Sequence, residues 1–279
     1  MTTHPGAPER SVVDRTLSIL GVFDRDNRIL TLSDISRRSG LPVATAHRIV
    51  NKLHGWGALE RGEGGGYSIG LRLWETATLA PRYSGLAEAA QSHLVELREQ
   101  SGGATVLALR DGKESMCLSF LSDDPGLTTP WGQPGSRLPL HVTATGLALL
   151  AHASAVLQDE LCAGPLPAYT STTVTDGATL RNQLRRIKRE GYAIMCDTLR
   201  EGRGAVAAPV RNARGTVVAS VGVVGPANML QPSRLVPLVV ATAEAISQEA
   251  RRDGWRTVHA KSDAPAAPEP APVPAPVPW

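Results

Sequence analysis

At 279 residues with a formal charge of +3, the chain is long enough for one or two domains that each bury a core. Its mild basicity permits a polyanionic partner without demanding one. No apolar run approaches bilayer-spanning length, and the opening MTTHPGAPERSVVDR has no apolar signal core, so a cytoplasmic protein without a membrane partner is expected.

Residues 1–10 read as a loose tail. Val13, Leu17, Leu20 and Val22-Phe23 mark a first helix whose apolar side packs under the next two, ending by the turn pair Asp26-Asn27. The stretch from Leu30 to Gly70 then reads as helix, tight turn, helix and two short strands around a glycine-rich tip. Thr31 and Asp34 stand in capping-box spacing, so a helix starts near Leu32. Gly40 stops it by taking the left-handed conformation at low cost. Pro42 suits the first turn of the following helix, where its missing N–H is no loss.

In that second helix Ala46, Ile49, Val50 and Leu53 recur at three- and four-residue steps and share one apolar stripe. Ala44, His47, Arg48 and Asn51 fall on the opposite arc, flanked by Thr45 and Lys52. Small, hydrogen-bonding and cationic groups on a helix that packs by its other side suit a major groove. Asn can bond adenine edges and Arg guanine, while Thr45 and Lys52 can hold phosphates. From Ile35 to Leu59 there is no acidic residue, the local bias that a polyanion requires. A solvated amphipathic helix of some other domain is the competing reading. The strands Ala58–Arg61 and Tyr67–Ile69 around Gly64-Gly65-Gly66 favour a winged helix-turn-helix, with Arg61 beside the wing tip facing the minor groove or a phosphate. Thr31, Ser33 and Val43, at the starts of the two helices, complete the candidate DNA-contact set.

Residues 71–82 restart helical periodicity as a linker, with Trp74 either pairing two chains or covering the wing. A second domain over 83–254 follows. It begins with a helix carrying Leu86, Ala90, Leu94 and Leu97 on one face, then a hairpin of Thr105–Arg110 and Glu114–Phe120 turning at Asp111-Gly112. Ser122–Pro139 reads as a loop, His141–Ala153 as helical, and Val156–Leu161 as a weaker helix. Thr175-Asp176 open a helix to Glu190, whose late Arg185, Arg186, Lys188 and Arg189 favour the negative end of its dipole rather than a second DNA patch. Gly191 caps it before strand Tyr192–Asp197. A second hairpin, Ala205–Arg211 and Thr216–Val224, precedes a last helix from about Ser233 to Arg252. This alternation implies a mixed sheet covered by helices. The Ala/Pro-rich residues 255–279 form a disordered tail. The three cysteines, Cys117, Cys162 and Cys196, lack CxxC spacing, are odd in number, and read as core residues of a reducing compartment. With the seven histidines scattered, no metal site assembles and no cofactor is implied.

Several motifs occur in one order: VVDRTLSIL, LTLSDISRRSGLPVATAHRIVNKL and GGGYSIGLRLWE, then LPLHVTATGLALLA, TVTDGATLRNQLRRIKREGYAI and GAVAAPVRNARGTVVASVGVVGP. Together they resemble the IclR family of bacterial transcriptional regulators over roughly residues 12–252. The resemblance implies an α+β chain: a winged helix-turn-helix over 11–70 and a GAF-like mixed α/β effector domain. Family ligands sit between the sheet and the LPLHVTATG segment. Carried over by position, the pocket wall comprises Ala144, Thr145, Met195, Ala205, Gly222 and Val224, with Leu138 and Trp131 close by. Relatives that bind small carboxylates look to have Asp at Met195, Cys at Ala205, and Ser at Gly222 and Val224. A small anion needs several convergent donors to replace lost water, so this wall implies a more apolar effector, such as an aromatic acid or a specialised metabolite. The implied partners are a double-stranded, pseudo-palindromic operator and a second copy of the chain, as a homodimer or a dimer of dimers. A repressor is expected ahead of an activator.

Two other classes stand beside this reading. His141 and Asp197 with Ser136 or Cys196 suggest an enzyme with an accessory helix-turn-helix, but Ser136 sits in PGSRL rather than a GxSxG elbow, and GEGGGYSIG lacks the Lys and Ser/Thr of a phosphate loop. His141 is expected to cap or brace the helix after it. The third class is a protein-interaction module that uses the winged domain as a docking surface.

Overall fold

A computed structural model of the chain describes residues 11–24, 26–124 and 132–252. These described residues group into two compact units, divided between Ser84 and Gly85.

The first unit opens with α1 (Val12–Leu20), closed by a capping box in which Ser11 Oγ accepts from the Asp14 N–H at 3.1 Å and the Asp14 carboxylate accepts from the Ser11 N–H at 3.1 Å. The stripe expected on this helix is corrected. Ile19 is fully buried and Leu20, Val22 and Phe23 pack beside it, whereas Val13 and Leu17 are 65% and 59% exposed. VVDRTLSIL carries apolar residues on both arcs, and in a nine-residue helix only one arc finds a core. Helix α2 (Leu32–Ser39) starts at the Thr31 cap and ends at Gly40, whose φ of 67° is left-handed. Pro42 precedes α3 (Val43–Trp56) rather than sitting in its first turn. Ala46, Ile49 and Val50 of α3 pack against Ile35, Leu41 and Leu59. Strands β1 (Leu59–Arg61) and β2 (Tyr67–Ile69) pair antiparallel, and a bridge from Leu30 to Tyr67 lengthens the ribbon. Helix α4 (Leu71–Thr78) begins with its Leu71 N–H donating to the Glu60 carboxylate at 2.8 Å. Trp74 is 63% exposed, so it does not bury itself over the wing.

Helix α5 (Pro81–Ser101) leads to β3 (Ala104–Asp111), β4 (Glu114–Leu121) and β5 (Arg137–Pro139). A 3-10 turn (Leu140–Val142), α6 (Ala144–Leu150), α7 (Ala155–Ala163) and α8 (Gly177–Glu190) come next. Strands β6 (Ala193–Cys196), β7 (Arg203–Arg211) and β8 (Val217–Pro226) precede α9 (Pro232–Arg252). The six strands form one sheet in the order β5-β4-β3-β8-β7-β6. The α+β class holds, but every pairing in this sheet is antiparallel, which corrects the mixed sheet expected from alternation. On one face Leu86, Ala90, Leu94 and Leu97 of α5 and Leu235, Val239 and Ile246 of α9 pack on Leu107, Val206, Val221 and Val223. On the other, Leu147 and Leu150 of α6 and Leu180, Leu184 and Ile187 of α8 pack on Ala108, Ala193 and Ala207. All seven residues of α6 are buried, the mark of a core helix.

Two further boundaries and the burial of one cysteine differ from expectation. The helix foreseen from His141 begins at Ala144, because Thr143 is extended (φ −126°, ψ 147°) and its Oγ1 accepts the Gly146 N–H at 2.9 Å. The stretch foreseen as loop to Pro139 ends in β5, which pairs with β4 and is tied down by Arg137 to Asp111 and Glu114. Cys196 is exposed, unlike buried Cys117. Among the described residues no helix is long and apolar enough to cross a membrane.

Candidate nucleic-acid interface and small-molecule cavity

The buried stripe of α3 fixes what its other side presents. Val43, Ala44, His47, Arg48, Asn51 and Lys52 are exposed and Thr45 is half-buried. Asn51 Nδ2 lies 3.2 Å from His47 Nε2, so each steadies the other on the surface. Arg37 is paired with Asp34 at 2.7 Å, but among the described residues neither Arg48 nor Lys52 has an acidic partner. Two uncompensated cations one helical turn apart therefore face solvent on an acid-free segment, where a phosphate or base edge gains most.

Thr31 is occupied by its cap: its hydroxyl accepts from the Asp34 N–H at 3.2 Å and donates to the Asp34 carboxylate at 2.7 Å. The neighbouring Ser33 hydroxyl is exposed. In the wing, Gly62 and Gly66 close the turn through an N–H to carbonyl bond of 2.9 Å, and Gly65 takes a φ of 77°. Arg61 lies over the Tyr67 ring at 5.7 Å, held at the wing with its charge exposed.

In the second unit the sheet and α6 do not meet everywhere. Between them lies a cavity of about 130 Å³, close to the roughly 150 Å³ of a protein cavity that holds one benzene. Leu138, Ala144, Thr145, Met195, Ala205, Gly222 and Val224 all line it; Trp131 lies outside the described residues. The space exists because the strands contribute alanine and glycine where larger side chains would fill it. Gly222 has a second cause: a Cβ there would stand 2.6 Å from the Val206 carbonyl oxygen, so β7 and β8 approach too closely there for a side chain. The roof is tied to the floor by Ser220 Oγ, which donates to the Thr145 carbonyl at 3.0 Å. The turn between β6 and β7 is tied to the 3-10 turn by Thr198 Oγ1, which donates to the Val142 carbonyl at 3.3 Å.

Sequence reasoning missed Ser115, Cys117, Ser136, Thr198, Arg200 and Arg203, which also line the cavity. Arg203 was within reach, since it stands two residues before Ala205 and strand alternation puts both on one face.

The residues that suggested catalysis serve other ends. Ser136 Oγ donates to the Gln133 carbonyl at 2.7 Å. His141 is buried and its Nε2–H donates to the Pro167 carbonyl at 3.0 Å, so it braces the segment ahead of α8 and not the helix that follows it. Burial holds its pKa below the usual histidine value, outweighing the backbone bond that raises it. The Asp197 carboxylate accepts the Gly202 N–H at 2.6 Å and closes a turn in which Asp197 itself has a φ of 60°. Cys196 has its thiol pKa raised by burial and by Asp197. No two of these groups form a nucleophile–base pair. Among the described residues no His, Cys, Asp or Glu cluster could hold a metal.

Comparison with known proteins gives one answer for both units. Residues 12–63 match the IclR helix-turn-helix domain and residues 82–248 the bacterial transcriptional regulator IclR C-terminal domain. The HTH-type transcriptional regulator BhcR of Paracoccus denitrificans is 30% identical over 235 residues, covering 84% of this chain and 84% of that protein. The HTH-type transcriptional repressor AllR of Klebsiella pneumoniae is 28% identical, over 88% of this chain and 93% of its own. Among solved structures, an IclR homologue from Microbacterium hydrocarbonoxydans complexed with 4-hydroxybenzoate superposes with a TM-score of 0.82 at 32% identity, covering 87% of this chain and 100% of that one.

Proposed function

The chain belongs to the IclR family of bacterial transcriptional regulators, and we propose that it acts as a cytoplasmic repressor whose α3 arc reads a pseudo-palindromic operator and whose cavity takes a small aromatic carboxylate. That it is an effector-responsive DNA-binding regulator follows from the family. The observation that carries the DNA assignment is the exposed, acid-free arc of α3 with Arg48 and Lys52 unpaired among the described residues. Arg48 and Asn51 meet base edges. Lys52, Thr45, Ser33 and Arg61 meet phosphates, and Val43 and Ala44 lie close enough to the groove for apolar contact. Thr31 contributes by holding the start of α2.

Two copies are needed for a two-fold operator with half-sites about one helical turn apart. The exposed apolar side chains of the first unit, Val13, Leu17, Leu71 and Trp74, support pairing of two chains, since a lone domain gains nothing by wetting them. The curated relatives bear the names of transcriptional regulators.

The effector class rests on the cavity. Its walls are mainly apolar, its volume of about 130 Å³ suits one ring, and a relative of 32% identity carries 4-hydroxybenzoate. A thermal-shift panel on the full chain tests this. Benzoate and 4-hydroxybenzoate at about a hundred times their Kd are expected to stabilise by roughly 2.7 kcal/mol, while glyoxylate and pyruvate at the same concentrations leave the transition within error. Strong stabilisation by glyoxylate with none by the aromatic acids overturns the assignment.

A further inference from the structure

We propose that Arg203 is the residue that selects for a carboxylate on the effector, and that Asp124 holds its charge until such a ligand enters. This rests on the cavity being the effector site. Along β7, Val206, Ala208 and Val210 pack toward α5 and α9, while Ala207 packs toward α6 and α8. The two-residue period of a strand therefore carries Arg203, with Ala205, onto the cavity side. Arg203 is among the residues lining that cavity, and its side chain is only 23% exposed.

A guanidinium stripped of most of its water needs an opposite charge. Its Nη1 donates to the Asp124 carboxylate at 3.1 Å, and Asp124 is itself 44% exposed. Among the described residues one N–H of the five is engaged in this way, and the planar fork of an arginine is shaped to hold a carboxylate through two parallel bonds. Much of the remaining wall, including Val106, Phe120, Val142, Met195 and Val224, offers an apolar body its burial but cannot tell a neutral ring from a charged one. The matching ligand is a flat apolar ring with one carboxylate directed at the start of β7. Asp124 competes with that carboxylate for the same cation, so removing each partner has an opposite effect.

Isothermal titration of the full chain with benzoate and its neutral analogue benzamide tests the assignment. Wild type is expected to bind benzoate about tenfold tighter than benzamide, the scale of one charge-assisted contact. Arg203→Met weakens benzoate by about tenfold and leaves benzamide within about threefold, and Arg203→Lys recovers part of the loss because it keeps the charge but not the fork. Asp124→Asn tightens benzoate severalfold, a gain that a wall residue with a merely structural role does not produce. Equal loss of both ligands in Arg203→Met, or no loss of benzoate, overturns the role of Arg203. Should Arg203→Met fail to fold, unchanged or weaker benzoate binding in Asp124→Asn overturns it instead. If wild type binds neither ligand, the ring-shaped effector itself is wrong and the selection step falls with it; if wild type binds both equally, only the role of Arg203 falls.

Discussion

Arg48→Ala is expected to weaken binding to the specific operator by roughly 1–3 kcal/mol, about five- to 150-fold, and to relax preference at one base-pair position in each half-site. The expectation follows from placement. Arg48 lies on the arc opposite Ala46, Ile49 and Val50, is exposed, and has no acidic partner among the described residues, so truncation removes a contact with DNA and none with the protein core. Thermal stability should stay within about 0.5 kcal/mol of wild type, as for other surface substitutions. Lys52→Ala separates the two kinds of contact: it weakens all sequences alike and reduces the slope of log affinity against log salt by about 0.9. Fluorescence anisotropy over a salt series reads both. An Arg48→Ala chain that keeps wild-type base preference removes Arg48 from sequence reading.

The second large effect lies in the wall of the cavity. Gly146→Ala should destabilise the C-terminal unit by about 2–4 kcal/mol. A Cβ at Gly146 would stand 2.4 Å from the Leu140 carbonyl oxygen and 2.7 Å from Thr143 Oγ1. Neither neighbour yields easily, since Thr143 Oγ1 is the cap that accepts the Gly146 N–H and α6 is buried on all sides. The new methyl group therefore strains the 3-10 turn and loosens the cap together, displacing Ala144 and Thr145 from the cavity they line. Urea denaturation checks the loss, with Gly225→Ala as the matched control: a Cβ there meets nothing within 4 Å, and its change should stay within about 0.5 kcal/mol. Equal stability of the two variants contradicts the packing described for α6.

What could be read from the sequence was what local chemistry decides. Thr31 and Gly40 bound α2 whatever packs on it, and Gly191, with a φ of 82°, ends α8 for the same reason. The four-residue rhythm of Ala46, Val50 and their neighbours named the face of α3 that turns inward. Elements decided by distant partners were not legible. Three-residue β5 exists only because β4 lies beside it, and α1 has two apolar arcs between which only the fold chooses. Thr143 broke an apparently continuous helix because its capping signal is embedded in the apolar run LPLHVTATGLALLA. The cavity wall came from resemblance to a family, not from periodicity. Resemblance carried over the positions where relatives place polar groups and so passed over Arg203, whose position only strand alternation reveals.

One measurement bears most directly on the coupling of the two units. Genomic fragments retained by the purified chain at low salt supply an operator, and its affinity is then measured by anisotropy with and without saturating benzoate. The expected result is a change in operator affinity of at least about fivefold in wild type, with Arg203→Met keeping the ligand-free affinity and needing about tenfold more benzoate for the same response. An operator affinity that stays the same while calorimetry shows the cavity filled with benzoate contradicts it.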